Sequence, residues 1–470
     1  MLKDMTKGSE TKHILVFAIP LFIGNIFQQL YNMVDAIVVG KFVGKDALAA
    51  VGTSFPAMFL LVAMVMGLSM GASIIISQLY GAGDYEKVKR AVSTTYIFLL
   101  ICAVVITFVG LLTSHGLLKL LQTPDEVIND SVIYLKIIFT GMVFMFIYNT
   151  LSAILRALGD SKTPLYFLII ASLLNIGLDI LFVTVFNMGV EGVAWATVIS
   201  QAVSATLCII YVYAKVEFLR IHPKDMVFDK ELFIKSVKLG IPASIQQTVV
   251  SVSMMALQGL VNSYGVVTMA AYTAASKIDS IAMMPIMNLG LATSTFTAQN
   301  IGAGEVERVK RGYRRSLLII TICCIVTSAV ILLFGSNLMS IFIDSKDYEV
   351  IAQGNEYITV VSFFYILMGL MFVTNGVLRG SGDMAVSMAS TITSLGTRII
   401  AAYILSTIPT IGYKGIWWSI PIGWAIGTTI TMIRYRSDKW IEKRVIKAPD
   451  KVNFEKTAGD NFVVIKENIK

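Results

Sequence analysis

Gly81-Ala-Gly-Asp-Tyr-Glu-Lys-Val-Lys-Arg90 returns further along the chain as Gly302-Ala-Gly-Glu-Val-Glu-Arg-Val-Lys-Arg311. Each copy follows two long apolar runs and precedes a third, so the chain is one unit written twice. The same register holds without gaps from Gly44 and Gly265, through Ala50 and Ala271, to Gln78 and Gln299. After a small shift, Leu155-Arg-Ala-Leu-Gly-Asp160 pairs with Leu378-Arg-Gly-Ser-Gly-Asp383, and Gly192-Val-Ala-Trp195 with Gly415-Ile-Trp-Trp418. Repeats of this length in a mostly apolar chain point to a transporter of two pseudo-symmetric halves.

The 470 residues are 56% hydrophobic and 14% charged, whereas soluble domains carry roughly 25% charged residues. Apolar runs near the ~20 residues a bilayer requires occur at 14–40, 52–78, 92–114, 131–155, 164–187 and 190–214, then at 235–261, 270–299, 315–335, 355–378, 386–408 and 413–434. The reading is an all-α integral membrane protein with twelve transmembrane helices in two pseudo-symmetric six-helix lobes. Its expected units are an N-lobe (1–214), an interlobe linker (215–234), a C-lobe (235–434) and a polar tail (435–470) expected to lack structure. The first apolar run is too long, and leads too directly into a second, for a cleavable signal peptide.

Lys and Arg set the orientation. Most of the 38 basic residues precede the first span, follow the last, or lie in alternate loops, as do Lys87, Lys89 and Arg90, and Arg308, Lys310 and Arg311. The positive-inside rule then places both termini in the cytoplasm of a multi-pass cell (inner or plasma) membrane protein. The net charge of +8 is thus topogenic, its juxtamembrane bases suiting anionic lipids, and no nucleic-acid surface is implied. Six spans per half insert both halves the same way up, which makes the repeats parallel.

Several classes are excluded. Cys102, Cys208, Cys323 and Cys324 sit in apolar runs without metal-ligand spacing, as small apolar filler. His13, His115 and His222 lie outside the spans. No HExxH, GxSxG or P-loop pattern is present, so neither an enzyme nor an ATP-driven pump of those types is indicated, and no cofactor is called for.

The ionisable residues inside the spans are Asp35, Asp179, Lys277, Asp279 and Arg398. A charge at mid-bilayer costs roughly 2.5–3.5 kcal/mol on insertion scales, so such residues face a cavity or a partner. Gln28, Asn32 and Asp35 share one face of the first span at helical spacing, and Asn175 and Asp179 stack in the fifth. Thr197 adds a hydroxyl near the start of the sixth. These polar groups either glue helices together or form a working site. Burial disfavours ionised carboxyls, so two of them either share a proton or, with Asn and Thr oxygens, make a hard shell for a small cation. A cationic substrate and a coupling ion would then compete for one negative lobe, which is the physical basis of antiport.

The Gly-Ala-Gly loops, the two Leu-Arg-x-x-Gly-Asp stretches and the two-by-six layout resemble those of the multidrug and toxic compound extrusion (MATE) family, over residues 12–435. Asp35 together with Asn175-Ile-Gly-Leu-Asp179 resembles its DinF-like bacterial and archaeal branch. The resemblance implies a cation or proton site, or a Na⁺ site, made by Asp35, Asn175 and Asp179. Thr197 and Tyr134 complete that pattern, and Pro20 matches the bending first helix. Where the pattern commonly has an Asn late in the fourth span, this chain has Ser152, with Asn149 nearby; the Ser is a hydroxyl in place of an amide, which leans the reading towards H⁺. The NorM-like branch has acidic ligands in the C-lobe, where this chain offers Asp279. Lys277 and Asp279 fall on different helix faces, and either anchor the eighth helix or meet substrate. Arg398 stands opposite Asn175 in the repeat.

Met254, Met255, Met283, Met284 and Met287 offer flexible thioethers that either pack helices or line a cavity accepting varied apolar cations, as drugs are. Gln28, Asn32, Pro20, Asp279, Lys277 and Met287 form a weaker set for the substrate cavity or gate. The reading is a monomeric antiporter expelling small organic cations in exchange for H⁺ or Na⁺. Its rivals are a lipid-linked oligosaccharide flippase of the same superfamily, and a non-transporting scaffold or receptor. The repeat is chemically broken: Asp35 falls opposite Ala256, and Asp179 opposite Ala402.

Overall fold

The repeated Gly-Ala-Gly motif is a turn between two long helices in each half. Gly83 and Gly304 hold φ of +74° and +77° there, a left-handed backbone that glycine adopts without penalty. The computed structural model describes residues 2–121, 123–220, 223–344, 346–446, 453–456 and 462–465. Among them the first half forms α1 (Glu10–Val38), α2 (Lys45–Gly81), α3 (Tyr85–Leu120), α4 (Asp125–Ala157), α5 (Lys162–Ile180) and α6 (Gly189–Lys215). Two short 3₁₀ turns, Glu217–Leu219 and Pro223–Asp225, lead to α7 (Lys230–Asn262). Then follow α8 (Val266–Gly302), α9 (Val306–Met339), α10 (Tyr348–Phe363), α11 (Tyr365–Ser381), α12 (Met384–Ser406) and α13 (Lys414–Arg436).

Short polar side chains cap the starts of α1, α3 and α7. Asp84 accepts from the Lys87 amide at 3.1 Å, and Asp229 accepts from the amides of Glu231 and Leu232 at 3.0 Å each. These contacts satisfy amides that a first turn leaves open. Among the described residues, nine helices are long and apolar enough to cross a membrane; α10 and α11, bent by 50°, supply a tenth span. Helices α2 and α7, of 37 and 33 residues, complete the twelve. The middle of α7 is more polar, carrying Gln246, Gln247, Thr248 and Ser251. The tenth span, read from sequence as one run over 355–378, is thus two helices meeting at Phe364.

The lobes exchange their first helices. Ile14 and Phe17 of α1 join the core around Phe296 and Tyr313 of the second half, while Val38, after crossing, joins Tyr134 and Val193 of the first. Helix α7 does the reverse: Leu232 and Leu239 pack with Ile75 and Leu79, and Leu257 and Val261 with the second-half core. The helix begins at Lys230, ahead of the apolar run read at 235.

The tail departs from expectation. Trp440 is buried and stacks on Tyr435 at 5.6 Å, and the amides of Val445 and Ile446 donate to Gln78 Oε1 at 3.0 and 3.1 Å. Trp440 and Ile441 join the second-half core, and Val445 and Ile446 the first-half core, so residues 437–446 are ordered. Strands Asn453–Lys456 and Phe462–Ile465 pair antiparallel. His222 lies outside the described residues.

Candidate functional site

Two helix ends build the centre of the first lobe. After Val38, α1 widens into a π turn over Val39–Val43, and α5 does the same over Leu181–Val185. Such turns re-aim the residues beside them and recur at functional sites. Asp35 and Asp179 each lie within about one turn of a widening, with their carboxyl groups close enough to interact. Tyr134, buried on α4, and Tyr31, on α1, stand beside the pair. Tyr31 Oη lies 3.4 Å from Thr197 Oγ1, and Asn175 Nδ2 donates to the same hydroxyl at 3.4 Å.

The acceptors here outnumber the donors. Asp35 Oδ1, both carboxyl oxygens of Asp179, Asn175 Oδ1 and Gln201 Oε1 are buried without a hydrogen-bond partner among the described residues. Buried oxygens left open cost about 1–3 kcal/mol each, and more when charged. Oxygens alone, with two carboxyls among them, suit a proton or a hard cation. A narrow cleft lined by Gln28, Tyr31, Ser172, Asn175, Thr197 and Gln201 reaches this centre.

Ser152 is not part of it. It is buried against Tyr148 and Cys208, and eighteen residues of α4 separate it from Tyr134, about 27 Å along the helix. The lean towards H⁺ that rested on Ser152 therefore loses its basis. Gln28 donates to Asn32 at 3.4 Å; Asn32 is exposed, whereas Asp35 turns its Oδ1 inward. Pro20 is buried within an unbroken α1. Lys277 and Met287 are exposed on α8, away from Asp279. Tyr31, Ser200 and Gln201 had not been singled out, although Tyr31 precedes Asp35, and Gln201 follows Thr197, by one helical turn.

The second lobe is built differently. Asp279 accepts from Tyr365 Oη at 2.7 Å and from Tyr357 Oη at 3.4 Å. Arg398 lies close enough to interact with this carboxylate, yet its Nε is buried without a hydrogen-bond partner among the described residues. Trp417 packs beside this group, with Tyr272 stacked on it at 5.8 Å and Tyr357 edge-on at 5.0 Å. The lobes meet between these sites, where Asn25 Nδ2 donates to Asn288 Oδ1 at 3.2 Å.

Twelve spans in two parallel lobes, with ionisable groups buried in each, define a two-lobed membrane transporter fold. The MatE family model matches residues 20–181 and again 242–404, once per repeat, and the chain belongs to the MATE family. It is 33% identical to the probable multidrug resistance protein YoeA of Bacillus subtilis, over 94% of this chain and 96% of that one. To the probable multidrug resistance protein YpnP of the same organism it is 32% identical, over 93% and 97%. A crystal structure of MATE in the bent conformation superposes with a TM-score of 0.87 at 26% identity, covering 93% of this chain and 98% of the other.

Proposed function

We propose that this chain is a secondary active multidrug efflux antiporter, expelling organic cations in exchange for H⁺ or Na⁺ by alternating access. Family membership and the names of the relatives support efflux of varied compounds. The observation that carries the coupling is the set of buried, unpartnered oxygens around Asp35 and Asp179. Two carboxyls in mutual reach repel when both are ionised, so the pair takes up a proton or a small cation. A bound organic cation neutralises the same lobe, so drug and coupling ion displace each other. Asn175 and Thr197 orient the pair, and Tyr134 and Tyr31 wall it from lipid. Gln28, Asn32 and Met287 face the substrate path, and Pro20 is where α1 bends as that path closes.

The excess of Lys and Arg on the face bearing Gly81 and Gly302 makes that face cytoplasmic. The protein is then a multi-pass cell-membrane transporter that works as a monomer. Lobes of residues 1–214 and 235–434 rock about the central site, joined by the 215–234 linker. The test is efflux of a fluorescent organic cation from proteoliposomes by wild type and by the Asp35→Asn and Asp179→Asn variants. Loss of gradient-driven efflux in both is the expected result; normal pumping by both overturns the site.

A further inference from the structure

We propose that Gln78 and Gln299 are paired gate residues of the transport cycle, and that the segments 2–9 and 437–446 are straps across the gate which must let go of one lobe before the cytoplasmic side can open. This rests on the cytoplasmic orientation proposed above. The two glutamines occupy one position of the repeat, and both are fully buried. Gln78 Nε2, in the first lobe, donates to the Gly380 carbonyl of the second at 2.9 Å. Gln299 Nε2, in the second, donates to the Ala157 carbonyl of the first at 3.0 Å. Ala157 and Gly380 are themselves equivalent in the repeat, so the lock has twofold symmetry. Backbones meet here too: a Cβ on Gly81 would collide with the Gln299 carbonyl, and one on Gly302 with the Gln78 carbonyl.

The remaining oxygen of each amide is taken by a strap. Gln299 Oε1 accepts from the Met5 amide at 3.0 Å, and Gln78 Oε1 from those of Val445 and Ile446. Each strap also holds the opposite lobe. The Lys3 amide donates to the Leu158 carbonyl at 3.2 Å, and the Lys3 carbonyl lies against Gly159, where no side chain would fit. The Lys443 carbonyl lies likewise against Gly382, the repeat equivalent of Gly159. Met5 is buried, and its carbonyl accepts from Asn300 Nδ2 at 3.2 Å and from Arg308 Nε and Nη2 at 3.2 and 3.1 Å. A segment tied to both lobes cannot stay so tied when they part. The two Leu-Arg-x-x-Gly-Asp loops thus gain a role: they are the strap seats.

The test uses the full chain in nanodiscs with Cys102, Cys208, Cys323 and Cys324 replaced. A Met5→Cys reporter is labelled with a membrane-impermeant maleimide, and in a second sample spin labels at Lys87→Cys and Arg315→Cys read the distance between lobes. Losing one hydrogen bond of about 1 kcal/mol shifts a closed-to-open ratio about fivefold. Gln78→Ala, which removes three hydrogen bonds, and Gln299→Ala, which removes two, should therefore each raise the long-distance population at least that much, and the pair more. Labelling of Met5→Cys should accelerate in step, and in the background with intact glutamines it should accelerate when ethidium is added. Distances unchanged in the double variant overturn the gate, and a lengthened distance with Met5→Cys still protected overturns the straps. Ethidium efflux by wild-type protein, measured separately, reports on the antiport reading alone.

Discussion

Tyr134 and Tyr357 occupy the same position of the two repeats, and each stands beside a buried carboxyl group. Around Tyr134 the acids come from α1 and α5, with Asn175 one turn away. Around Tyr357 there is a single Asp279, and Arg398 replaces that Asn. One framework thus carries two neighbouring carboxyl groups in the first lobe and a carboxyl group beside a guanidinium in the second.

If the first lobe couples, Asp35→Asn and Asp179→Asn should each insert normally yet lose at least about tenfold in gradient-driven drug efflux, as when a coupling interaction of about 1.4 kcal/mol or more is removed. Resistance of cells expressing each variant, with protein levels checked, measures it. Wild-type resistance from both contradicts the assignment.

Position along α4 separates Tyr134 from Ser152. Tyr134→Phe removes a hydroxyl beside the acid pair and should shift the pH or Na⁺ dependence of efflux. Ser152→Ala, about 27 Å away, should leave that dependence unchanged. Equal shifts in the pH and Na⁺ profiles would place Ser152 back in the site.

Arg398→Asn, which restores the residue of the other repeat, strips Asp279 of the positive charge it interacts with. The expected cost is about 1–3 kcal/mol of stability, read as a lower melting temperature in detergent, with part of it recovered in the Asp279→Asn/Arg398→Asn double variant. Additive losses would show that the two residues do not interact.

Gly81→Ala and Gly302→Ala place a methyl group against a carbonyl of the other lobe, at equivalent points of the closed face. Both should favour the parted lobes, to a similar extent, in the spin-label distances. A shift in only one variant argues against a symmetric lock.

Periodicity made the halves, the twelve spans and the polar faces of α1 and α5 readable, because each is a repeat along the chain. The π turns after Val38 and Ile180 were not readable, since an added backbone residue leaves no side-chain pattern. Nor was the bend at Phe364, which has neither Gly nor Pro to announce it. Ser152 misled because alignment to a pattern does not fix depth, and each residue along a helix adds 1.5 Å. The straps escaped notice because they are held through backbone amides and carbonyls, to which composition is blind. Gln78 and Gln299 were visible as a repeated pair, but their partners lie across the lobe boundary.

The most direct test of the account is drug efflux by purified protein in proteoliposomes, with a pH gradient and a Na⁺ gradient imposed separately. The account predicts that at least one inward gradient drives export of an organic cation, and that Asp35→Asn abolishes the response. Efflux that proceeds alike with either gradient, with both or with neither would contradict it.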